Sequence, residues 1–228
     1  MRLNENTALV GVSVVLVPYE THHVEKYHKW MENADLQLLT GSEALTLEQE
    51  FDMQRTWRED ADKCTFIILD RSILEASAGR DEISAMVGDV NLFAIQLDDD
   101  HENAAQEQAN AQPAKKNETV LWQAAECEIM IAEETARRKG YGREAMLLMM
   151  KYAAENFCPR VFVAKIKSDN TISQNMFNKM GFVKQSESEI FHEVTMMAPS
   201  EKLLVHFNNV VSKSCMYSAW RKHPTAPS

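Results

Sequence analysis

The chain has 228 residues, of which 45% are hydrophobic, so it can bury a sizeable core and suits one domain with an added loop or tail. Its formal net charge of -10 disfavours general nucleic-acid binding. No apolar leader and no run of 18 apolar residues occurs, so we expect neither a secretion signal nor a membrane span. The four cysteines lie far apart with no CxxC pair, which argues against a zinc site or a disulfide framework and indicates a reducing cytoplasm.

The chain begins with a predicted strand followed by two helices. β-Branched residues dominate positions 13–19, which predicts the strand. Thr21 can act as the N-cap of the first helix. Apolar residues recur in this helix at the spacing of one face, namely at Val24, Tyr27, Trp30 and Met31. A second helix is expected after Thr46, because Thr46 and Gln49 have the spacing of a capping box.

The middle of the chain consists of three strands and a long polar segment. Apolar runs predict strands at 64–70, 86–97 and 126–132. Residues 98–119 contain almost no apolar side chain larger than alanine, and they carry an acidic run. A segment of this length and composition inside a domain is predicted to be a mobile insertion loop rather than part of the core.

Strands and helices alternate in the remainder of the chain. A helix with a buried stripe is predicted first, the stripe being Ala145, Leu148, Met149, Tyr152 and Ala153. A strand at 160–166 precedes a helix that Asn170 caps and Gly181 ends. Two closing strands are expected at 182–188 and 191–197. This alternation implies an α/β layer with at least one parallel pair of strands.

The domain is therefore expected to cover residues 1–197. Residues 198–228 are polar and basic with two late prolines, and they predict a C-terminal tail made of a short helix and a frayed end. His22, His23 and His28 show no metal-ligand arrangement, so we expect them on the surface and expect no metal site.

One stretch, "TARRKGYGREA" at 135–145, combines adjacent cations with two glycines at the start of a predicted helix. A helix N-terminus presents unpaired N–H groups and a partial positive charge, which favour phosphate. Gly140 and Gly142 would let a ligand approach the backbone, and Arg138, Lys139 and Arg143 would add positive charge. The stretch therefore predicts a binding site for a phosphate or pyrophosphate.

Three phosphate-binding motifs compete for this stretch. The P-loop pattern GxxxxGK[ST] is absent. The dinucleotide pattern GxGxx[GA] matches Gly140, Gly142 and Ala145, but its preceding strand ends several residues too early, and its next strand ends in Lys165 and Lys167 instead of an acid. The third pattern, R-x-x-G-x-G, is the one that these residues still fit.

Arg137, Gly140 and Gly142 in this third pattern resemble the acetyl-CoA signature of the GCN5-related N-acetyltransferase (GNAT) superfamily. Asn170, Ser173 and the later "KMGF" resemble the helix that follows that signature. The resemblance covers roughly residues 10–197. Several segments are also similar to one eukaryotic branch whose members are described as protein acetyltransferases with microtubule connections: "MRLNEN", "VVLVPY", "HKWM", "LTLEQE", "EDADKCTFI", "MVGDVNLF" and "FHEVT".

This resemblance implies an α/β fold with a mixed, largely antiparallel central sheet flanked by helices. It also implies acetyl-CoA as co-substrate and no metal, and an amine of a protein as acceptor, either an α-amine or a lysine. Tubulin and microtubules are candidate partners, nucleic acid and membrane are not, and the cytoplasm is the expected location. Acetyl-CoA is expected to contact Met130, Ile131, Ala132, Arg137, Arg138, Lys139, Gly140, Tyr141, Gly142, Arg143, Asn170, Ser173 and Phe177.

Glu126 and Glu128 are the candidate catalytic residues, because they share one face of their strand by its period of two. Members of the superfamily often place a general-base glutamate on this strand; Glu126 has the matching spacing, and Glu128 is the second choice. Phe177 stands where many relatives have a tyrosine that protonates the departing thiolate. That proton would therefore come from water, from Ser173 or from no specific acid. The loss of this tyrosine keeps open an alternative of another class, a non-catalytic microtubule-binding module.

Overall fold

The structure is a computed structural model, and it describes residues 4–77, 81–97, 122–208 and 213–216. The insertion predicted at 98–119 lies outside these residues. The described strands form one sheet in the spatial order β7-β8-β6-β5-β4-β3-β2-β1-β9. They are β1 Thr7–Val10, β2 Val14–Pro18, β3 Lys63–Asp70, β4 Met86–Ile95, β5 Ala124–Ile131, β6 Val161–Lys167, β7 Val183–Ser188, β8 Glu193–Pro199 and β9 Lys213–Met216.

Eight α-helices accompany these strands in the described part of the chain. They are α1 Val24–Met31, α2 Ala34–Thr40, α3 Leu47–Glu59, α4 Arg71–Ala76, α5 Glu82–Ala85, α6 Tyr141–Asn156, α7 Thr171–Lys179 and α8 Ser200–Asn208. β5 and β6 pair in parallel, whereas β1 with β2, β2 with β3, β6 with β8 and β7 with β8 pair antiparallel. The predicted mixed, largely antiparallel sheet flanked by helices is confirmed.

The chain divides into two compact units. The first consists of Met1–Asn91, Ile129–Met146 and Val211–Ser228, and the second of Leu92–Glu128 and Leu147–Val210. In the first unit, the apolar face of α1 packs on β2 and β3, and all four residues of its predicted stripe are buried. Ring packing adds to this core, with Tyr19 and Tyr27 5.2 Å apart between centroids.

Helix starts in the first unit follow local chemistry. Thr46 accepts a hydrogen bond from the Gln49 amide while the Gln49 side chain accepts one from the Thr46 amide, so the predicted capping box is confirmed. Thr21 is not an N-cap. It begins a 3₁₀ turn, Thr21–His23, that leads into α1, and Glu20 holds the extended capping position.

In the second unit, apolar side chains of β5, β6 and β8 pack together. Ala124, Val161, Val163 and Met197 form an apolar cluster there. The side chains of Trp122 and Phe157 stack with ring centroids 4.4 Å apart. α7 begins at its predicted cap and ends before Gly181, whose φ of +99° is the left-handed conformation of a helix-terminating glycine.

The C-terminal part contains more regular structure than the sequence predicted. The short helix is present as α8, and β9 then pairs antiparallel with β1, with Thr7 opposite Met216. Both of these short strands were missed, because four-residue strands carry too little pattern to detect. Cys64, Cys127 and Cys158 are free thiols. Among the described residues, no helix has the length and apolarity to cross a membrane.

Candidate functional site

The loop between β5 and α6 contains two residues in the left-handed backbone conformation before the helix begins. Arg138 has a φ of +61° and Gly140 a φ of +87°. Glu144 then donates its amide to the Gly140 carbonyl at 3.0 Å, which closes the first helical turn. A Cβ added at Gly140 would find no atom within 4 Å, so the backbone there is open to an approaching ligand. Glycine suits this position because it adopts a positive φ without strain and because it leaves the backbone accessible to a ligand.

One cation of this loop holds the loop by hydrogen bonds to the backbone, and three others make no such bond to a described residue. Arg137 donates from Nε to the Ile131 carbonyl at 3.0 Å and from Nη2 to the Ala132 carbonyl at 3.2 Å. Arg138, Lys139 and Arg143 are exposed. The first amides of α6 have no partner inside the helix, so these N–H groups and three exposed cations suit a pyrophosphate.

Two side chains of the first turn of α6 fix its position in the first unit. The Tyr141 hydroxyl donates to Asp70 at 2.8 Å. The Glu144 carboxylate accepts the backbone amides of Val12 and Ser13, the latter at 3.0 Å. Tyr141 was predicted to contact the cofactor, and the structure places its hydroxyl against β3. Its backbone amide, at the start of the helix, is the group that can serve a phosphate.

The end of β5 is tied to β4 by its backbone. The amides of Ala132 and Glu133 both donate to the Val87 carbonyl, at 2.9 and 3.2 Å. Gly88 allows this approach, because an added Cβ would lie 1.9 Å from the Met130 carbonyl oxygen. Of the three residues at the end of this strand that were expected to contact acetyl-CoA, Ala132 therefore has its N–H already occupied.

Glu133 links the same loop to α1. Its carboxylate accepts a hydrogen bond from Trp30 Nε1 at 2.9 Å and lies 3.3 Å from Lys26 Nζ. Lys26 also donates to the carbonyls of Ile83 and Met86. No local sequence pattern indicates this link, since about a hundred residues separate Trp30 from Glu133.

The two candidate catalytic carboxylates lie on β5 in the second unit. β5 and β6 pair only from Ala124 to Glu126, opposite Val161 to Val163, although β5 runs on to Ile131 and β6 to Lys167. Glu126 therefore stands at the last paired position. Its side chain is 15% exposed, and its Oε2 lies 2.8 Å from Lys165 Nζ. Glu128 is exposed. Sequence reasoning missed Lys165, which only the register of β6 brings beside Glu126.

α7 presents the downstream residues of the predicted site, also in the second unit. The Asn170 side-chain oxygen accepts the Ser173 amide at 3.1 Å, so its predicted capping role is confirmed. Its amide nitrogen makes no hydrogen bond to any described residue, and it could therefore donate to a ligand. Phe177 is buried and packs against Phe182, with ring centroids 4.9 Å apart. Phe177 is thus a core residue of α7 and offers no proton.

The expectation that the histidines lie on the surface is wrong for His23, which is fully buried. Its Nε2 lies 3.0 Å from Glu82 Oε2, and His22 Nε2 lies 2.8 Å from the same oxygen. The three side chains could hold a metal ion by distance alone. However, His23 Nδ1 accepts the Glu20 amide at 3.1 Å, which places the ring proton on Nε2 facing the carboxylate. A metal ion at Nε2 would displace that proton to Nδ1, where it would face the N–H of Glu20. These contacts therefore favour a hydrogen-bonded cluster.

Comparison with known proteins identifies the family to which this chain is similar. The model described as "Acetyltransferase (GNAT) domain" matches residues 13–183. Alpha/beta-tubulin-N-acetyltransferase 9 of Drosophila melanogaster is 50% identical over 203 residues, which are 87% of this chain and 90% of the relative. The protein of the same name from Homo sapiens is 46% identical over 197 residues, covering 86% of this chain and 84% of the relative. These names are those of the eukaryotic branch that the sequence segments resemble, so the resemblance is confirmed.

The fold is also that of solved acetyltransferases. Spermidine N-acetyltransferase from Vibrio cholerae, solved in complex with CoA and spermine, gives a TM-score of 0.61 at 14% identity and covers 88% of this chain and 99% of that chain. At this identity the likeness concerns the fold alone.

Proposed function

Because the chain belongs to the GNAT acetyltransferase family and is an N-acetyltransferase, we propose that it moves the acetyl group of acetyl-CoA to an amine of tubulin in the cytoplasm. The tubulin acceptor is supported by the names of the Drosophila and human relatives. The alternative of a non-catalytic microtubule module is not favoured, because the relatives are named as acetyltransferases and this chain keeps the glycine loop and a partly buried glutamate.

Each unit, taken by itself, offers groups that suit a part of acetyl-CoA. In the first unit, Arg138, Lys139 and Arg143 would neutralise the pyrophosphate, and the amides of Tyr141 and Gly142 would bind its oxygens. In the second unit, the amide nitrogen of Asn170, which bonds no described residue, would donate to the pantetheine arm. Acetyl-CoA supplies an activated acyl carbon and a thiolate leaving group, and the chain's own residues must manage the acceptor's proton.

Glu126 is proposed to take that proton. The acceptor nitrogen attacks the thioester carbon, the C–S bond breaks, and the proton lost by the nitrogen passes to Glu126, directly or through a water. The departing thiolate would take its proton from water or Ser173, since Phe177 has none to give. The observation that carries this proposal is the position of Glu126, partly buried at the last paired residue of β5, with Oε1 unbonded to any described residue.

An α-amine is the acceptor that this base would serve at lower cost. A lysine side chain of pKa about 10.4 costs about 4.6 kcal/mol to deprotonate at pH 7, whereas an α-amine near 7.8 costs about 1 kcal/mol. The carboxylates of Glu126, Glu128 and Glu193 all act on Lys165, so this part of the second unit is acidic and would attract a cationic acceptor.

The test is acetyl transfer from isotope-labelled acetyl-CoA to purified tubulin, with mass spectrometry to locate the label. The parent protein should label an α-amine. Glu126→Gln should lower kcat by about 100-fold or more near neutral pH and leave acetyl-CoA affinity nearly unchanged. Glu128→Gln is the matched control and should have a much smaller effect. A larger effect at Glu128 would move the assignment, label on lysines would contradict the α-amine, and no label on tubulin would refute the acceptor.

A further inference from the structure

An ion pair joins β5 and β6 at the place where these parallel strands stop pairing. Lys165 Nζ donates to Glu126 Oε2 at 2.8 Å. Glu126 is opposite Val163 in the register, and Lys165 lies two residues farther along β6, on the same face as Val163. Lys165 therefore reaches back to the last paired position of β5.

The surroundings of Lys165 keep it charged. Burial alone would lower the pKa of its ammonium group, but the hydrogen bond and charge of Glu126, with the charges of Glu193 on β8 and Glu128 on β5, raise it. Lys165 is 44% exposed, so the attraction is partly screened by solvent. The ammonium group is therefore protonated at neutral pH.

We propose that Lys165 is the positioning residue for Glu126, holding its Oε2 and leaving Oε1 to receive the proton of the acceptor amine. This inference rests on the proposed role of Glu126 as base. A cation at hydrogen-bond distance favours the ionised form of a partly buried carboxylate, and only the ionised form can accept a proton.

The proton balance is compatible with a lysine partner. One proton leaves the acceptor nitrogen and forms a bond to Glu126 Oε1, and Lys165 keeps its own three protons throughout. Its hydrogen bond to Oε2 fixes the rotation of the carboxylate, so the oxygen that receives the proton has a defined direction. Without the ammonium group, the Glu126 carboxylate would lose both the charge that favours its ionised form and the hydrogen bond that fixes its orientation.

The test compares Lys165→Met, which keeps the aliphatic stem, with Lys165→Arg, which keeps the charge. In Lys165→Met the acid limb of the pH profile of kcat/KM should move to higher pH, with a drop in kcat and little change in KM for acetyl-CoA. Lys165→Arg should restore the parent profile. Lys184→Met, which removes an exposed lysine paired with Glu187 on β7, is the control and should leave the profile unchanged.

A second readout separates this inference from the proposed function. The carboxyl carbon of Glu126 can be followed by NMR in the protein without substrate, its signal assigned by its loss in Glu126→Gln. Its titration midpoint should move to higher pH in Lys165→Met and return in Lys165→Arg; an unchanged midpoint overturns the positioning role even if Glu126 is the base. A moved midpoint with an unchanged rate profile refutes Glu126 as the base and, with it, a role for Lys165 in the reaction.

Discussion

The hydroxyl of Tyr141 donates a hydrogen bond to a carboxylate oxygen of Asp70 at 2.8 Å, across 71 positions of the chain. Tyr141 stands between the two glycines of the predicted phosphate loop, and Asp70 ends β3 and caps α4. Burial alone would raise the pKa of the Asp70 carboxyl, but hydrogen bonds from Ser72, Tyr141 and backbone amides hold it below its usual range. The contact therefore joins the start of α6 to a carboxylate that is ionised at neutral pH.

Tyr141→Phe should destabilise the protein by about 1.5 to 3 kcal/mol, the usual net value of a hydrogen bond to a charged acceptor. The melting temperature should fall by roughly 3 to 12 °C. Because the folded pKa of Asp70 is depressed, this stability is present above the unfolded pKa and is lost as pH falls through the folded pKa. Thermal unfolding at pH 7 and pH 3 checks this. A cost that is equal at both pH values, or unchanged in an Asp70→Asn background, would contradict it.

His23 should make the folded state sensitive to mild acid. Burial is the main reason that the pKa of His23 is lowered, and its hydrogen bond to Glu82 offsets part of that shift. The unfolded chain then binds more protons below about pH 6.5, so stability is full above that value and declines as pH falls. His23→Gln, which can keep a donor toward Glu82, should flatten the parent's loss of stability between pH 7 and 5, measured by urea unfolding.

The partly exposed His22 supplies the control for this experiment, because it bonds the same Glu82 oxygen from a position with 35% of its side chain exposed. His22→Gln should retain the parent's dependence on pH. Equal slopes in the parent and in His23→Gln would show that His23 does not cause the acid sensitivity.

Local signals in the sequence predicted the parts of this molecule that depend on local chemistry. The capping box at Thr46, the cap at Asn170 and the buried stripe of α1 each follow from residues a few positions apart, and each is confirmed. The glycine loop was found in the same way, since its residues are contiguous.

Contacts set by strand order could not be predicted in this way. Lys165 meets Glu126 only through the register of β5 and β6, and His23 meets Glu82 across 59 positions. Arg137 carried the motif that identifies the loop, yet its guanidinium group holds the end of β5 by two carbonyls. A motif gives the residue types at a site, while the partners of each side chain depend on the tertiary fold.

Asp89 should produce a pH dependence of the opposite sign to that of His23. Burial raises the pKa of this carboxyl to about 6, against hydrogen bonds from Asn91 and Tyr27 and the charge of Lys63. The folded state then binds more protons than the unfolded state between about pH 4 and 6, so stability falls as pH rises through that interval. The fall should be on the order of 2 to 3 kcal/mol.

Asp89→Asn should remove this fall and keep an acceptor for Asn91 and Tyr27. Chemical denaturation of the parent and the variant at several pH values from 4 to 7 gives the comparison, and the difference between the two curves isolates Asp89 from His23. If Asp89→Asn is instead less stable than the parent at pH 7, then the charge of Asp89 is needed to balance the buried Lys63, and the raised pKa does not describe this carboxyl.

Gly142 tests whether the glycine loop exists for a ligand. Gly140 is a poor choice for the test, because its φ of +87° would strain any side chain. Gly142 lies in the first turn of α6, outside the buried stripe that begins at Ala145, so Gly142→Val should fold. Acetyl-CoA at about 100 times its dissociation constant should stabilise the parent by about 2.7 kcal/mol, a rise in melting temperature of roughly 5 to 10 °C.

Gly142→Val should melt near the unliganded parent and gain almost nothing from acetyl-CoA, because its side chain occupies the space that the pyrophosphate needs beside the amides of the first turn. Gly142→Ala, which adds a single methyl group and favours the helix by up to about 1 kcal/mol, is the matched control and should retain part of the ligand-induced rise. Differential scanning fluorimetry with and without acetyl-CoA gives all three values. A full rise in Gly142→Val would mean that the glycine only starts the helix, and no rise in the parent would contradict acetyl-CoA as the co-substrate.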